Sequence, residues 1–588
     1  MSDRLEYDVL LVGGSPSNFA LAHRLVDLAK ESGQKFTMAI IEKSAEFGSH
    51  IVSGAVTKPH VIKKLFPNWE SLNIPTEGVC TSSDFLVLGE KYSWPVPRFL
   101  QPEGIQKEGY WILTLSVFVS WMASYLKEKL ADVPNVTVDL YPGFAAHKIV
   151  YDGSRVVGVQ VVEASTGTPN DDNLYAKVTC FGDKGFISQD LVAKFNLRDN
   201  PQVWSVGVKE VWQIPPGQAL EGKVWHTMGA PLVDGTFGGG FVYGMKNNRL
   251  TIGLVMSLDS PNPNINPQQR LQDYKKHPWL QKMIAGGKLL KYGAALLPEG
   301  GYYSLPKQFA TDGAMLLGDA LGVLDVGNLA GIDKAMQCGM EAADVIHAEL
   351  QKRGRFSAES LKDYQSNVMA SFVGRDLKLG RYFRFAWSEN HRLLRNYLPS
   401  VLDGIDGLGA GLGFLKVGLT NNPLTALRDA LRLKTLLDGK FDIGPIHYQK
   451  DHTHIVPDYK PVRPFLGGDA SVNGRSKNPI DKTTLYSRPD AVFFANTHYH
   501  EGNAHIDEFN SAVCVACIAK YDALAKDVPC VSDCTAEVHR VDVLGQARKH
   551  GMSLENCVQC RTCEIVCPEE NLRVKPTAEG SGPNFMGL

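Results

Sequence analysis

The chain has 588 residues, 44% hydrophobic and 21% charged, with 61 Lys+Arg against 63 Asp+Glu and a formal net charge of −2. One hydrophobic core stops growing at about 250–300 residues, so two or three domains are expected and a small binding module is excluded. The near-zero charge carries no electrostatic footprint for nucleic acid, the composition is that of a globular rather than disordered or polytopic protein, and the segment Met1–Tyr7 has no apolar signal-peptide core, so no export is expected.

The first predicted elements are a short apolar strand, Tyr7–Val12, the turn Gly13-Gly14-Ser15-Pro16-Ser17-Asn18, and a helical stretch, Phe19–Lys30. A second apolar run, Phe36–Ile41, closes on Glu42. This order of strand, glycine turn, helix, strand and acid is that of a Rossmann βαβ unit. The turn admits a pyrophosphate to the helix N-terminus, and the acid accepts from ribose hydroxyls. Ser15 and Asn18 stand where G-x-G-x-x-G has its second and third glycines, and Asn18 is expected to crowd the helix against the strand. A purely structural βαβ unit would share the same order.

Tyr110–Leu126 is seventeen residues without a charge but carries Thr114, Ser116, Ser120 and Ser124, which reads as a buried or surface-dipping segment at the lower limit for crossing a bilayer. Arg249–Met256 reads as a strand. Ala314–Gly322 is an apolar strand delivering Gly318-Asp319 to its end, with a helix expected from about Asp333 to Leu350. In flavoproteins of this ground plan such a Gly-Asp lies beside the ribityl and phosphate part of FAD; a plain turn with Asp319 as helix cap is the other possibility. From Gly407 follows a Gly-rich apolar run with Leu408, Leu412, Phe414, Leu415, Val417 and Leu419. After Pro423, leucines at 424, 427, 431, 433, 436 and 437 accompany Arg428, Arg432 and Lys434. Such a stripe suits an interfacial helix under anionic headgroups, or equally an amphipathic helix packed on the flavin domain.

Cys80, Cys180 and Cys338 stand alone, whereas the other eight of the eleven cysteines fall between Cys514 and Cys567. A disulfide framework does not fit a large chain without an export signal, so the cluster points to metal. Cys557-x2-Cys560-x2-Cys563-x3-Cys567-Pro568 is the bacterial ferredoxin run for a [4Fe-4S] cluster, whose fourth cysteine ligates the other cluster. Zinc sites, the alternative, come as two separated C-x2-C knuckles. Upstream, Cys514-x2-Cys517-x12-Cys530-x3-Cys534 is a second half-motif with an insertion. Exchange of fourth ligands assigns Cys534, Cys557, Cys560 and Cys563 to one cluster, and Cys514, Cys517, Cys530 and Cys567 to another; buried free cysteines are the alternative for the second set. His498, His500 and His505 are expected in loops or behind the ligands. Arg561 and Arg573 could raise a cluster potential, but as solvated surface charges they would do little.

Both ends together resemble the electron transfer flavoprotein–ubiquinone oxidoreductase family. The likeness includes Glu42-Lys43, Gly48 with His50 and Ser53-Gly54-Ala55, Leu65 to Trp69, Pro95 to Pro97, Phe237-Gly238-Gly239, Tyr292-Gly293-Ala294, Leu317-Gly318-Asp319 and Cys557 to Pro568. The resemblance implies electron flow from reduced electron transfer flavoprotein through [4Fe-4S] and FAD to a membrane quinone, on a body lying monotopically on a membrane surface. The expected location is the cytoplasmic face of a bacterial inner membrane, or the mitochondrial inner membrane in a eukaryote. It implies Gly13, Gly14, Ser15, Glu42, Gly318, Asp319 and Gly331 around FAD, Phe237, Gly238 and Gly239 at the quinone head group, and Cys534, Cys557, Cys560 and Cys563 as cluster ligands. The family lacks counterparts of the other four cysteines, and there the tail resembles the two-cluster ferredoxin subunit of bifurcating electron transfer flavoprotein complexes.

The expected fold is a multidomain α/β and α+β chain. A Rossmann-like FAD domain (1–150 and 290–355) carries an inserted quinone-binding sheet domain (151–289). A helical segment (356–440) and a connector (441–488) lead to a ferredoxin-like iron–sulfur domain (489–588). The competing functions are a geranylgeranyl reductase-like or hydroxylase-like flavoenzyme, and a non-catalytic electron-relay subunit of a larger respiratory complex with weakened or lost FAD binding.

Overall fold

The computed structural model describes residues 5–588 except 163–168, 261, 389–397, 408, 421, 423, 426–427, 429–441, 443, 449–483, 501–504, 546 and 578–579. Most of the connector and most of the leucine stripe after Pro423 therefore lie outside the described residues.

The apolar runs Glu6–Val12 and Phe36–Glu42 become neighbouring parallel strands, buried on both faces and so nearly continuous in hydrophobicity. They belong to an eight-stranded sheet in which Ala314–Leu316, Pro169–Phe181, Glu6–Val12, Phe36–Glu42 and Val136–Pro142 run side by side and parallel. Register brings Val12 opposite both Ile41 and Phe181, and Phe181 opposite Leu316. The turns after these strands thus open at one edge, the carboxyl-end crevice where open α/β sheets bind ligands. Ser15 caps the helix Pro16–Ser32, Pro16 starts it, and Gly33 ends it in the left-handed region (φ 72°). Ile332–Lys352 packs along that helix, and Tyr110–Leu126 is largely the helix Leu115–Leu130, buried on one face.

A second sheet of seven strands runs in the order Lys288–Pro298, Trp204–Gln213, Arg249–Ser257, Gly238–Met245, Lys223–Gly229, Ser82–Leu88 and Ser93–Pro95. Strand membership departs from a linear division at 150 and 289. Arg155–Val162 and Pro169–Phe181 complete the first sheet, and Ser82–Leu88, Ser93–Pro95 and Lys288–Pro298 complete the second, because edge pairing, not chain proximity, selects a strand's neighbour.

The cysteine-bearing region is not a separate body at the end of the chain. Cys517, Cys530, Cys534, Cys557, Cys563 and Cys567 share one hydrophobic core with Val206, Trp212 and Tyr292 of the second sheet. Tyr292 Oη donates to Thr535 O across that junction (2.8 Å). The tail then returns to the first sheet's side, where Phe585 N–H donates to Ser49 O at 2.6 Å and Gly587 N–H to Ser116 Oγ at 3.1 Å. Within the region, Ile506–Glu508 pairs antiparallel with Leu572–Val574, Ser511–Ala523 is helical, and His539–Leu544 forms a hairpin with Ala547–Met552.

Candidate functional site

The glycine turn is held from both sides. Gly14 N–H donates to Glu42 Oε2 at 2.7 Å and Ser44 N–H to Glu42 Oε1 at 2.9 Å, fixing the carboxylate at the strand end. Ser15 Oγ accepts from Asn18 N–H at 3.3 Å, and Gly13 adopts φ +96°, open to glycine. Asn18 does not crowd the helix as its size predicts. Its Nδ2 donates to Val12 O (3.0 Å) and Gly13 O (2.8 Å), so the side chain braces the turn. The missing space comes from elsewhere: a Cβ on Gly182 would lie 2.7 Å from Asn18 Nδ2, and one on Gly339 would overlap the Ser17 carbonyl. Glycines at 182 and 339 thus grant the close approach that the pattern's third glycine normally gives.

Gly318-Asp319 lies two strands from Gly13, so the separated signatures meet at one crevice. The intervening strand also ends in Gly-Asp, at Gly182-Asp183, a repeat of the same strand signature that sequence reasoning passed over. Asp183 Oδ2 accepts from Ile187 N–H (2.9 Å) and Ser188 N–H (3.3 Å), while its Oδ1 is buried without a partner. Burial pushes the Asp319 carboxyl up, opposed by Lys184 Nζ at 3.9 Å.

On the second sheet, Phe237 precedes the strand that begins Gly238-Gly239, and the buried Arg384 guanidinium stacks over its ring at 4.9 Å. Arg384 is itself held by Asp259 (2.5 Å) and Glu299 (3.2 Å). Lys209, also buried, donates to Ser53 O at 2.6 Å, and burial pushes its ammonium down to about 7. His226 is kept neutral by burial, down to about 3, and its Nδ1 has no partner.

Between the two sheets lies a cavity of about 420 Å³. It is lined by Gly13, Gly14, Ser15, Glu42, Gly318, Asp319 and Gly331, by Phe237, Gly238 and Gly239, by Asp183, Lys209 and His226, and by Cys560 of the cysteine region. A large, mostly apolar cavity with a helix N-terminus, strand-end carboxylates and orphaned polar atoms at Asp183 and His226 fits a dinucleotide with a planar head.

The eight cysteines lie in two adjoining groups, Cys530 of one also interacting with Cys534 and Cys563 of the other. Every pair among Cys534, Cys557, Cys560 and Cys563 is close enough to interact electrostatically, and so is every pair among Cys514, Cys517, Cys530 and Cys567. Burial pushes these thiols up, Cys514 to about 11 and Cys557 to about 12, so as thiolates they would need a positive charge such as a metal ion's beside them. Donors already aim at sulfur: Val538 N–H to Cys534 (3.2 Å), Gln559 N–H to Cys557 (3.3 Å) and Asn571 N–H to Cys567 (3.2 Å).

A bridge between cavity and cysteine loop had no sequence signal. Lys43 Nζ lies 2.6 Å from His50 Nδ1 and donates to Gln559 Oε1, between Cys557 and Cys560. Arg561 departs from a solvated charge: it is 3% exposed, pairs with Glu564 (2.8 Å) and donates to Lys184 O (2.8 Å). Only Arg573, paired with Asp190, sits at the surface. His505 is buried, its ring stacked on Tyr499, whose Oη donates to Cys557 O at 2.5 Å.

Ala410–Thr420 is helical, with Leu412, Leu415 and Leu419 exposed at 44, 55 and 74%, and Leu424 beyond it at 77%. Among the described residues no helix is long and apolar enough to cross a membrane.

Residues 204–297 match the family model described as ETF-QO, ubiquinone-binding, and residues 483–586 the one described as electron transfer flavoprotein-ubiquinone oxidoreductase, 4Fe-4S. The chain is 31% identical to an electron transfer flavoprotein-ubiquinone oxidoreductase of Pseudomonas aeruginosa, over 99% of both chains. It is 30% identical to the human mitochondrial protein of that name, over 99% of this chain and 89% of that one. A geranylgeranyl bacteriochlorophyll reductase-like protein from Thermoplasma acidophilum shares the fold over 73% of this chain and all of its own, with TM-score 0.53 and 16% identity.

Proposed function

Because the chain belongs to the electron transfer flavoprotein–ubiquinone oxidoreductase family, we propose how its central cavity carries out that family's reaction. The protein is an oxidoreductase that passes electrons from reduced electron transfer flavoprotein to a quinone, with FAD and an iron–sulfur cluster as redox groups. Bound FAD supplies both one- and two-electron chemistry, which reconciles a one-electron cluster with a two-electron acceptor.

The chain's residues divide the work around that chemistry. Gly13, Gly14 and Ser15 would border the pyrophosphate at the helix N-terminus, their own N–H groups being spent on Ile41 O, Glu42 and Gly13 O; Glu42 would accept from the ribose, and Asp319 and Gly331 would border the ribityl side. Phe237, Gly238 and Gly239 border the quinone head group, with Arg384 pinning the Phe237 ring as a water-excluding wall. Lys209, near half-protonated at neutral pH, can hold or give up a proton at Nζ on that side of the cavity. Cys534, Cys557, Cys560 and Cys563 would hold the [4Fe-4S] cluster, Cys560 being the one of them that lines the cavity.

The observation that carries this assignment is the one cavity shared by the glycine turn, the Phe237–Gly239 segment and Cys560. The alternative, a relay subunit that has lost FAD, rested on Ser15 and Asn18. Both residues have positive roles in the turn, so nothing now favours it. The exposed leucines of Ala410–Thr420 and Leu424 would seat the protein monotopically on a membrane surface, at the cytoplasmic face of a bacterial inner membrane or at the mitochondrial inner membrane.

The purified full chain should carry one FAD and reduce a soluble quinone analogue when supplied with reduced electron transfer flavoprotein. Protein with intact clusters but neither FAD nor quinone reduction would overturn the proposal. Flotation with anionic vesicles, lost in Leu415→Ser/Leu419→Ser, tests the membrane seat.

A further inference from the structure

The family's reaction needs one cluster, yet four further thiols converge on a separate site. We propose that Cys514, Cys517, Cys530 and Cys567 hold a second [4Fe-4S] cluster, outboard of the first. Helix Ser511–Ala523 presents Cys514 and Cys517 one turn apart, and the twelve residues after Cys517 loop back to deliver Cys530 beneath them. Cys567 arrives from the opposite half-motif, so the fourth-ligand exchange is realised in space. All four thiols line one small apolar cavity of about 20 Å³, distinct from the cavity that Cys560 borders.

The second site is furnished as a ligand site. Asn571 donates from its backbone to Cys567 Sγ and from its side chain to Cys514 Sγ, both at 3.2 Å, so one residue supports two ligands from different segments. Such N–H donors stabilise the charge on cluster sulfurs. A mononuclear zinc held by four thiolates would need sulfurs about 3.8 Å apart, the tetrahedral edge for bonds of about 2.3 Å. Among the described residues, the groupings with ligand atoms within 4.8 Å are not made of cysteines alone: they are Cys530 with His539 and His550, and Cys514 with Glu508 and His550. Both nitrogens of His550 are already engaged, Nδ1 with Glu508 (2.5 Å) and Nε2 with His539 Nδ1 (2.9 Å). His539 Nε2 is buried without a partner, so a zinc on Cys530 and these histidines is the competing occupant that the metal count separates from a cluster.

Cys514 and Cys560 are both partly exposed, but only Cys560 lines the central cavity, so the second cluster lies on the side away from it. Resting on the electron route above, it is where an electron from a reduced flavoprotein donor enters. Each cluster accepts one electron and passes one on, so two passes deliver the two electrons that a quinone takes up with two protons.

The experiment is a metal and sulfide count on the anaerobically purified full chain, reconstituted with ferrous iron and sulfide, with EPR of the reduced protein. About eight irons and eight sulfides per chain and a spectrum of two interacting clusters are expected. Cys514→Ala/Cys517→Ala should fall to about four irons while keeping FAD and a single uncoupled cluster signal. About four irons in the wild-type chain would overturn the proposal without use of any variant. One zinc per chain, lost in His550→Ala with iron unchanged, would also overturn it. Eight irons without quinone reduction would leave this site standing and sink the proposed function; four irons with quinone reduction would do the reverse.

Discussion

Lys209→Met is the substitution whose effect can be worked furthest from the structure. The ammonium is buried, makes a bond to Ser53 O at 2.6 Å, and has its affinity for a proton lowered by burial from the ordinary 10.5 to about 7, with distant Glu77 opposing. At about 1.4 kcal/mol for each tenfold change in proton affinity, a charged Lys209 costs the folded state about 4–5 kcal/mol. The unfolded chain keeps this proton up to about pH 10.5, whereas the folded chain releases it above about 7. Between those values the unfolded state binds more protons, so stability rises with pH; below about 7 the cost is full and constant. Methionine keeps the stem's volume and removes the charge, at a loss of about 1 kcal/mol for the hydrogen bond. The variant should therefore be more stable than the wild type by about 3 kcal/mol at pH 6, the gain shrinking to near zero by about pH 10. Denaturant unfolding at pH 6, 7.5 and 9, followed by flavin fluorescence and circular dichroism, measures it. A variant no more stable at pH 6, or a difference that does not change with pH, would refute the argument. The same change should remove a break near pH 7 in the rate of quinone reduction, if Nζ serves as the proton-holding atom.

Three further substitutions have defined outcomes. Asn18→Gly, which restores the usual glycine pattern, should weaken FAD retention and cost about 1–3 kcal/mol for two lost hydrogen bonds, the carbonyls of Val12 and Gly13 keeping only Gly182 N–H and Ser15 N–H; tighter flavin binding on titration would contradict this. Gly339→Val drives a side chain into the Ser17 carbonyl and should cost at least about 1–3 kcal/mol by prising apart helices Pro16–Ser32 and Ile332–Lys352, read as a lower thermal midpoint together with flavin loss. Arg561→Met leaves the mostly buried Glu564 unpaired and should cost about 3–5 kcal/mol and lower the first cluster's potential in a redox titration. Adding Glu564→Gln should recover part of the stability but not the potential, and an unchanged potential in Arg561→Met would show that the guanidinium does not reach the cluster.

Much of the site was legible wherever neighbours in sequence are neighbours in space. Gly13 to Glu42 is one βαβ unit, Gly318-Asp319 ends one strand, and Cys557 to Cys567 is one loop; local spacing suffices for each. Asp183 carried the same strand-ending signature as Asp319 and could have been found from it. Lys43, His50 and Gln559, or Arg384 beneath Phe237, could not, since their partners are fixed by packing between segments hundreds of residues apart. The size argument at Asn18 failed for the same reason: its room is made at Gly182 and Gly339, which no local pattern connects to it.

By itself, then, the sequence determined the redox groups and the elements that carry them, because turn chemistry, apolar periodicity and cysteine spacing act over short stretches of chain. Only the tertiary structure decided that the strand Pro169–Phe181 sets the two glycine signatures at one crevice, that the cysteine region shares a core with the second sheet, and that Arg561 is buried. Those outcomes depend on which surfaces exclude water together, and that is settled by edge pairing and by packing volume rather than by any residue's immediate neighbours.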